Sequence, residues 1–120
     1  TFDIIDDGHV YRGGVIAPGI RLSIEALVQK AAKLPNVGVR KPRKVIGKNT
    51  QSAMHSGIYW GYIGLIEKIL DNIKDELGTK PYVIATGGLA PLYAESTDHI
   101  DIVDDNLIFK GLFEIYKKQK

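Results

Sequence analysis

The sequence predicts an α/β fold, with helices packed on a mixed sheet. Three observations lead there. Short runs rich in branched residues, bounded by Gly, Pro and Asp, mark strands. Longer stretches repeat their apolar residues at three and four, the spacing of one helix face. The two kinds of segment interleave in the order β-β-α-(β)-α-β-α-(β)-α, with no internal repeat or low-complexity tract.

The first run, Phe-Asp-Ile-Ile at positions 2–5, reads as a strand. Asp6-Asp7-Gly8 follows, and Asp-Gly favours a tight hairpin. Residues 9–17 then form the return strand, with Val10, Val15 and Ile16 as apolar markers. Gly13-Gly14 interrupts it and suggests a bulge or a close backbone neighbour. Pro18-Gly19 ends it. Residues 21–34 repeat Ile24, Leu27, Val28, Ala31 and Leu34 as a helix, which Ser23 could cap and Pro35 stops. Residues 35–44 are a basic connector, with Arg40, Lys41, Arg43 and Lys44 within five positions. It reads as a solvated loop or as a seat for an anionic ligand.

Val45-Ile46-Gly47 is a short edge strand or an extended link, and Asn49-Thr50 caps the next helix. That helix covers residues 51–77, with an apolar stripe from Met54 through Ile58, Leu65, Ile69 and Ile73. Gly57, Gly61 and Gly64 lie on one side. A helical glycine costs about 1 kcal/mol against alanine. The three therefore suggest a break near Gly61, or the close approach of another backbone or a ligand. Gly78 closes the helix. Tyr82-Val83-Ile84-Ala85 reads as a buried strand, residues 89–94 as a short helix and residues 98–103 as an edge strand or extended segment. Asp105 or Asn106 caps a last helix, whose basic end at Lys117, Lys118 and Lys120 suits the helix dipole.

Composition narrows the function. The chain has 120 residues, 44% hydrophobic and 25% charged, which is ordinary for one folded domain and excludes global disorder. Sixteen basic against fourteen acidic side chains give a net charge of +2, too little to imply nucleic acid. The lack of cysteine excludes disulfides, thiolate metal sites and a cysteine nucleophile. No apolar run reaches the ~18 residues of a membrane span, so no membrane partner is expected. With no basic-then-apolar leader, a cytoplasmic location is expected. Thr1 is not expected to be the natural start, because no Met precedes it and a strand is already under way.

The sharpest candidate site is Ala85-Thr86-Gly87-Gly88-Leu89, between a strand and a helix. Ligands collect beyond the carboxyl ends of strands in open α/β sheets. Paired glycines admit a nucleotide to the backbone, and a helix N-terminus offers N–H groups to phosphate. A plain tight turn is the alternative. Asn49-Thr50 can orient a polar substrate or serve only as a cap. Gly13-Gly14 with Pro18-Gly19-Ile20 is a third candidate, or a bulged strand. Asp6 and Asp7 suit a solvated turn, whereas the setting of Asp3 is open. His9, His55 and His99 are widely spaced, and no nucleophile–base pair is complete. Trp60 and Tyr62 suit core or interface, and the glycine-bearing helix with Tyr59, Trp60 and Tyr62 suits a dimer surface.

In series, these segments resemble a known family. Thr1-Phe2-Asp3; Tyr11-x-Gly13-Gly14-x-Ile16-x-Pro18-Gly19; Ile46-Gly47-x-Asn49-Thr50; Ser56-Gly57, Gly61 and Gly64; Ala85-Thr86-Gly87-Gly88-Leu89; and Gly111-Leu112 look like the C-terminal half of a type III pantothenate kinase. The resemblance covers nearly all of the chain and keeps the motif order. It implies the acetate and sugar kinase, Hsp70 and actin type of fold, built from two ribonuclease H-like halves. Residues 1–120 would be the C-terminal half lacking its first strand. It implies phosphorylation of pantothenate by ATP on the way to coenzyme A, with Mg2+, a monovalent cation (K+ or NH4+) and a homodimer.

Residue by residue, Thr50 matches the threonine that contacts pantothenate, and Gly87 and Gly88 the pair beside adenosine. Gly13, Gly14, Pro18 and Gly19 match the segment that shapes the cleft. Thr1 matches the last threonine of the phosphate motif Asp-x-Gly-Thr-Ala-Thr-Thr. The first phosphate loop, the catalytic aspartate of a Gly-x-Asp-Arg motif and the cation-binding aspartate all fall upstream in the family. No catalytic residue is therefore assigned here, and the chain alone is expected to be inactive without the N-terminal half. A non-catalytic binding or regulatory module of the same fold, or a related small-molecule kinase, is the alternative. The family includes members first described as accessory factors for gene expression. A nucleic-acid partner is the least favoured, since no aromatic platform accompanies the basic segment.

Overall fold

The computed structural model describes residues 1–30 and 38–120. It is an α/β structure that divides into two compact units, Thr1–Tyr62 and Ile63–Lys120.

In the first unit, β1 (Phe2–Ile5) pairs antiparallel with β2 (Tyr11–Val15), Phe2 opposite Val15 and Ile5 opposite Tyr11. The expected hairpin is present, but its turn is wider than a two-residue Asp-Gly loop. The Asp6 carboxylate accepts the N–H groups of Gly8 and Val10, at 2.9 and 3.0 Å, and pairs with Arg12 at 3.1 Å. The side chain thus adds to the turn's two backbone bonds, from Asp6 N–H to the Val10 carbonyl and from His9 N–H to the Asp6 carbonyl, and His9, not Gly8, takes the left-handed conformation at φ 60°. The close backbone neighbour foreseen at Gly13-Gly14 is present, and the bulge falls one residue earlier, at Arg12. The register shifts between Ile4 and Ile5, opposite this strand. Gly13 has φ 111°, where a side chain is strained. A Cβ on Gly14 would run into the Phe2 carbonyl oxygen.

The first helix, α1 (Ile20–Lys30), begins one residue before the predicted start and buries Ile20 and Ile24. Leu27 stays 44% exposed despite its periodic position. Ala31, Leu34 and the Pro35 stop lie outside the described residues. Ser23 is not a cap. It sits in the first turn and donates its hydroxyl to the Gly19 carbonyl at 3.1 Å, so it satisfies no orphan N–H. Val45 and Ile46 form a bend and Gly47 an irregular link, so no strand forms there.

The long helix α2 (Thr50–Leu77) runs unbroken through Gly61, against the expected interruption. It extends about 42 Å at 1.5 Å per residue. His55, Ser56, Ile58, Tyr59, Ile63, Ile66 and Leu70 are buried, and Gly57, Gly61 and Gly64 are exposed on another side. The three glycines cost about 3 kcal/mol together. One buried Leu or Ile recovers roughly 1.5–3 kcal/mol, so the stripe outweighs them. Among the described residues no backbone of this chain beyond α2 approaches these glycines: a Cβ on any of them meets nothing within 4 Å. Tyr59 is 1% exposed and packs edge-on against Trp60 at 5.1 Å, so it belongs to core, not to a dimer surface. Gly78, at φ 70°, closes the helix by donating to the Lys74 carbonyl at 3.0 Å.

The second unit places β3 (Ile84–Ala85) parallel to β4 (Ile102–Val103), with α3 (Ala90–Ala94) between them in sequence. The strand predicted at residues 82–85 is only two residues long and not buried, with Tyr82 68% and Ile84 47% exposed. Among the described residues its ladder has two strands, too few to cover both faces. The edge strand or extended segment expected at residues 98–103 likewise has only Ile102–Val103 as strand. Asp101 anchors this ladder: its carboxylate accepts the Val83 N–H at 2.7 Å, and its own N–H bonds the Val83 carbonyl at 3.0 Å. Ala90, Tyr93 and Thr97 are buried beyond it.

The last helix, α4 (Leu107–Lys118), ends in Lys117 and Lys118 as expected. Its cap differs from the reading. Asn106 holds the N-cap position but makes no side-chain cap bond. Asp104 instead accepts the Asn106 N–H at 3.0 Å and pairs with Lys110 at 2.7 Å. The Lys110 ammonium and that N–H hold the Asp104 carboxyl below the usual aspartate range.

Two outcomes follow from this packing. Gly14→Ala should lower the stability of the full-length protein by roughly 1–3 kcal/mol, because the added methyl overpacks a strand pair. Equal urea midpoints for variant and parent would contradict it. Asp104 favours the folded state above the ordinary aspartate pKa. That contribution should fade as pH falls through its lowered value. Carboxyl-detected NMR should show Asp104 titrating below other exposed aspartates, and Lys110→Met should move it upward.

Candidate ligand-binding segments

The start of α2 is the best-built polar junction of the first unit. Asn49 accepts the Ser52 N–H on its side-chain oxygen at 2.8 Å, and Ser52 Oγ accepts the Asn49 N–H at 3.1 Å. This reciprocal pair is a capping box with serine in the acid's place. Asn49 is therefore the cap, and Thr50 is released from that duty. Thr50 is the first helical residue and is exposed. One turn on, Ser56 donates its hydroxyl to the Val45 carbonyl and fastens the preceding loop to the helix. Gly47 rests on the same turn so closely that a Cβ would collide with the Ser52 and Ala53 backbone. The glycine that precedes Asn49-Thr50 is thus a packing requirement.

Gly87 and Gly88 lie between β3 and α3, in the second unit, and both are exposed. Gly87 has φ 101°, and its carbonyl accepts the Ala90 N–H at 3.1 Å. A Cβ on Gly88 would meet nothing within 4 Å. The backbone here is therefore open to a flat ligand, and Gly88 is not required by internal packing. Gly13, Gly14, Pro18 and Gly19 stand in the first unit on and after β2.

Two cavities bear on these segments. One, of about 710 Å3, is lined by Arg40, Lys41, Arg43, Lys44, Lys48 and His55, with Ser52 and Gly47. The other, of about 310 Å3, is lined by Glu67 and residues 94–99. Thr50, Gly87 and Gly88 line neither.

The second cavity contains an arrangement that sequence reasoning missed. His99 Nε2 lies 2.9 Å from Asp71 Oδ1, and Nδ1 lies 3.2 Å from Thr97 Oγ1 and 3.9 Å from Glu67. A hydroxyl, an imidazole and a carboxylate are in line, but Thr97 Oγ1 also accepts the His99 N–H at 3.2 Å. The hydroxyl is spent on its own turn, and the set ties the loop after α3 to α2. Twenty-eight residues separate Asp71 from His99, beyond any local motif. In the first unit, Asp3 accepts the Tyr11 hydroxyl at 3.1 Å, which raises the Tyr11 pKa by stabilising the neutral phenol beside a carboxylate. Asp6 is structural, as its turn position suggested.

The match to known proteins covers all these segments. The type III pantothenate kinase family profile matches residues 1–72. The chain belongs to the type III pantothenate kinase family. It is 53% identical over 118 residues to the type III pantothenate kinase of Paramagnetospirillum magneticum, covering 98% of this chain and 45% of the relative. The corresponding protein of Brevibacillus brevis is 50% identical over 120 residues, covering 100% of the chain and 47% of the relative. A Campylobacter jejuni crystal structure, of a protein described as of the Baf transcriptional-activator family, matches with TM-score 0.65 and 27% identity. That match covers 98% of this chain and 52% of the other. The chain thus spans about half the length of the curated relatives it matches.

The family's cofactors can be tested against these residues. Around Gly87-Gly88, the positive φ and the open space suit a nucleotide base or ribose. Among the described residues, no three His, Asp or Glu side chains are grouped so that they could hold a metal ion together. Among the described residues, no helix is long and apolar enough to cross a membrane.

Proposed function

We propose that the polypeptide carrying this chain is an ATP-dependent kinase that converts pantothenate to 4′-phosphopantothenate in coenzyme A biosynthesis. The observation that carries the reading is about 50% identity to type III pantothenate kinases, sustained over the whole chain. Residues 1–120 act as the C-terminal ribonuclease H-like half of an acetate and sugar kinase, Hsp70 and actin type of fold, lacking its first strand. The other half brings the catalytic aspartate, the phosphate loop and the cation ligands, on Mg2+ and K+ or NH4+. The working form is a homodimer in the cytoplasm.

The chemistry suits a shared site. Phosphoryl transfer asks for an alcohol held in line with the γ-phosphate and for charge neutralisation, with little covalent help from protein. In this reading Thr50 offers its hydroxyl to pantothenate. Its neighbours Asn49 and Ser52 already satisfy the helix end, so that hydroxyl is free to serve a ligand. Gly87 and Gly88 let the adenosine side of ATP lie against bare backbone. Gly13, Gly14, Pro18 and Gly19 shape the cleft wall, where Gly14 keeps β1 and β2 at contact distance.

Turnover of pantothenate and ATP by the full-length protein tests the reading. No phosphopantothenate, in the presence of Mg2+ and K+, would favour a non-catalytic role of the kind named for the Campylobacter jejuni protein. Thr50→Ala should lower kcat/KM for pantothenate about 3- to 10-fold, the worth of one hydrogen bond of roughly 0.5–1.5 kcal/mol. An unchanged value would remove Thr50 from the substrate site. Gly88→Val should raise the KM for ATP at least about tenfold while leaving the melting temperature close to the parent's, since the side chain enters empty space. Wild-type ATP binding by a folded Gly88→Val protein would refute the adenosine assignment.

A further inference from the structure

The basic loop before α2 is more than a solvated charge run. Arg40, Lys41, Arg43, Lys44 and Lys48 all line one cavity of about 710 Å3. None of the five is ion-paired among the described residues. Like charges repel, and a purely solvated loop gains nothing by sharing a concavity. The loop is also held in place, by Ser56 on the Val45 carbonyl and by Gly47 against the helix backbone. The positive end of the α2 dipole adds to the field there.

A second observation is independent of the charge. His55 lines the same cavity, is 6% exposed, and its Nδ1 is buried with no hydrogen-bond partner. Buried ring nitrogens are ordinarily satisfied. Nδ1 does not itself open onto the cavity as the ring stands; a rotation of the ring would bring it to an anionic oxygen there.

We propose that this cavity is a binding site for a small molecule bearing two or more phosphate groups. Five cations exceed what one phosphate neutralises, and the guanidinium groups of Arg40 and Arg43 match phosphate oxygens in pairs. Pro42 and Ile46, which also line the cavity, suit the organic part of such a ligand. The volume lies within the few hundred to ~1,000 Å3 usual for small-ligand sites. The lining has no aromatic side chain on which a nucleic-acid base could stack.

The test uses the full-length protein with 13C,15N-labelled histidine, titrated with inorganic tripolyphosphate at constant ionic strength. The expected result is a saturable shift of the His55 ring resonances, which sodium chloride at the same ionic strength does not reproduce. Calorimetry should show tripolyphosphate affinity at this site falling at least tenfold in an Arg43→Ser/Lys44→Ser double variant. Those side chains are exposed, so the variant should fold normally. His55→Gln should weaken binding less than the double variant. The proposal fails if the His55 resonances stay still, if sodium chloride moves them equally, or if the double variant binds as the parent does. Duplex DNA that shifts His55 when tripolyphosphate does not would also overturn it. All readouts are of binding, so they stand whether or not the protein phosphorylates pantothenate.

Discussion

The first turn of α2 is the constraint from which the candidate chemistry of the first unit descends. Four N–H groups at a helix start need partners. Asn49 and Ser52 supply two of them reciprocally, and Ser56 and Gly47 bind the incoming loop to the same turn. Three consequences follow from this one junction. Thr50 is left exposed with its hydroxyl uncommitted to capping. The basic loop is placed over the helix start. His55 is buried beneath that loop. If the junction loosened, a substrate contact and an anion-lined cavity would lose their geometry together.

The same helix shows how packing overrides local preference. Gly57, Gly61 and Gly64 weaken α2 in isolation, yet it continues for 28 residues because its buried stripe outweighs them. The exposed glycine side is smooth, with no described neighbour near it. α4 presents the opposite case. Leu107, Ile108, Phe109, Leu112, Phe113, Ile115 and Tyr116 are all exposed, and none of its residues is buried. Its local order rests on Asp104 at one end and on lysines at the other, where Lys117 pairs with Glu114 and lies over Phe113.

Glycine serves three separate physical purposes in the segments that mark the family. At Gly13 and Gly87 it supplies a backbone conformation that other residues resist. At Gly14 and Gly47 it permits contact with a neighbouring backbone. At Gly88 neither reason applies, which leaves room on the ligand side as the physical use for a missing side chain. Open backbone at Gly88 and an uncommitted hydroxyl at Thr50 are what an enzyme of positioning, with little covalent work to do, asks of one half of its site.

Much of this was legible in the residues. Strand-turn-strand at the start, the helical stripes, Gly78 as a stop and the polar start of α2 are local patterns, and local sterics and periodicity decide them. The ordered series of glycine and Asn-Thr motifs also sufficed to point to the family. What escaped was every feature that depends on residues distant in the chain. Residues 82–85 looked like a buried strand, but burial depends on the strands alongside. Tyr59 looked available for an interface and is core. The Asp71–His99–Thr97 line and the His55 nitrogen beneath the basic loop carry no local signature, because side-chain partners and burial are set only when segments far apart in sequence pack together.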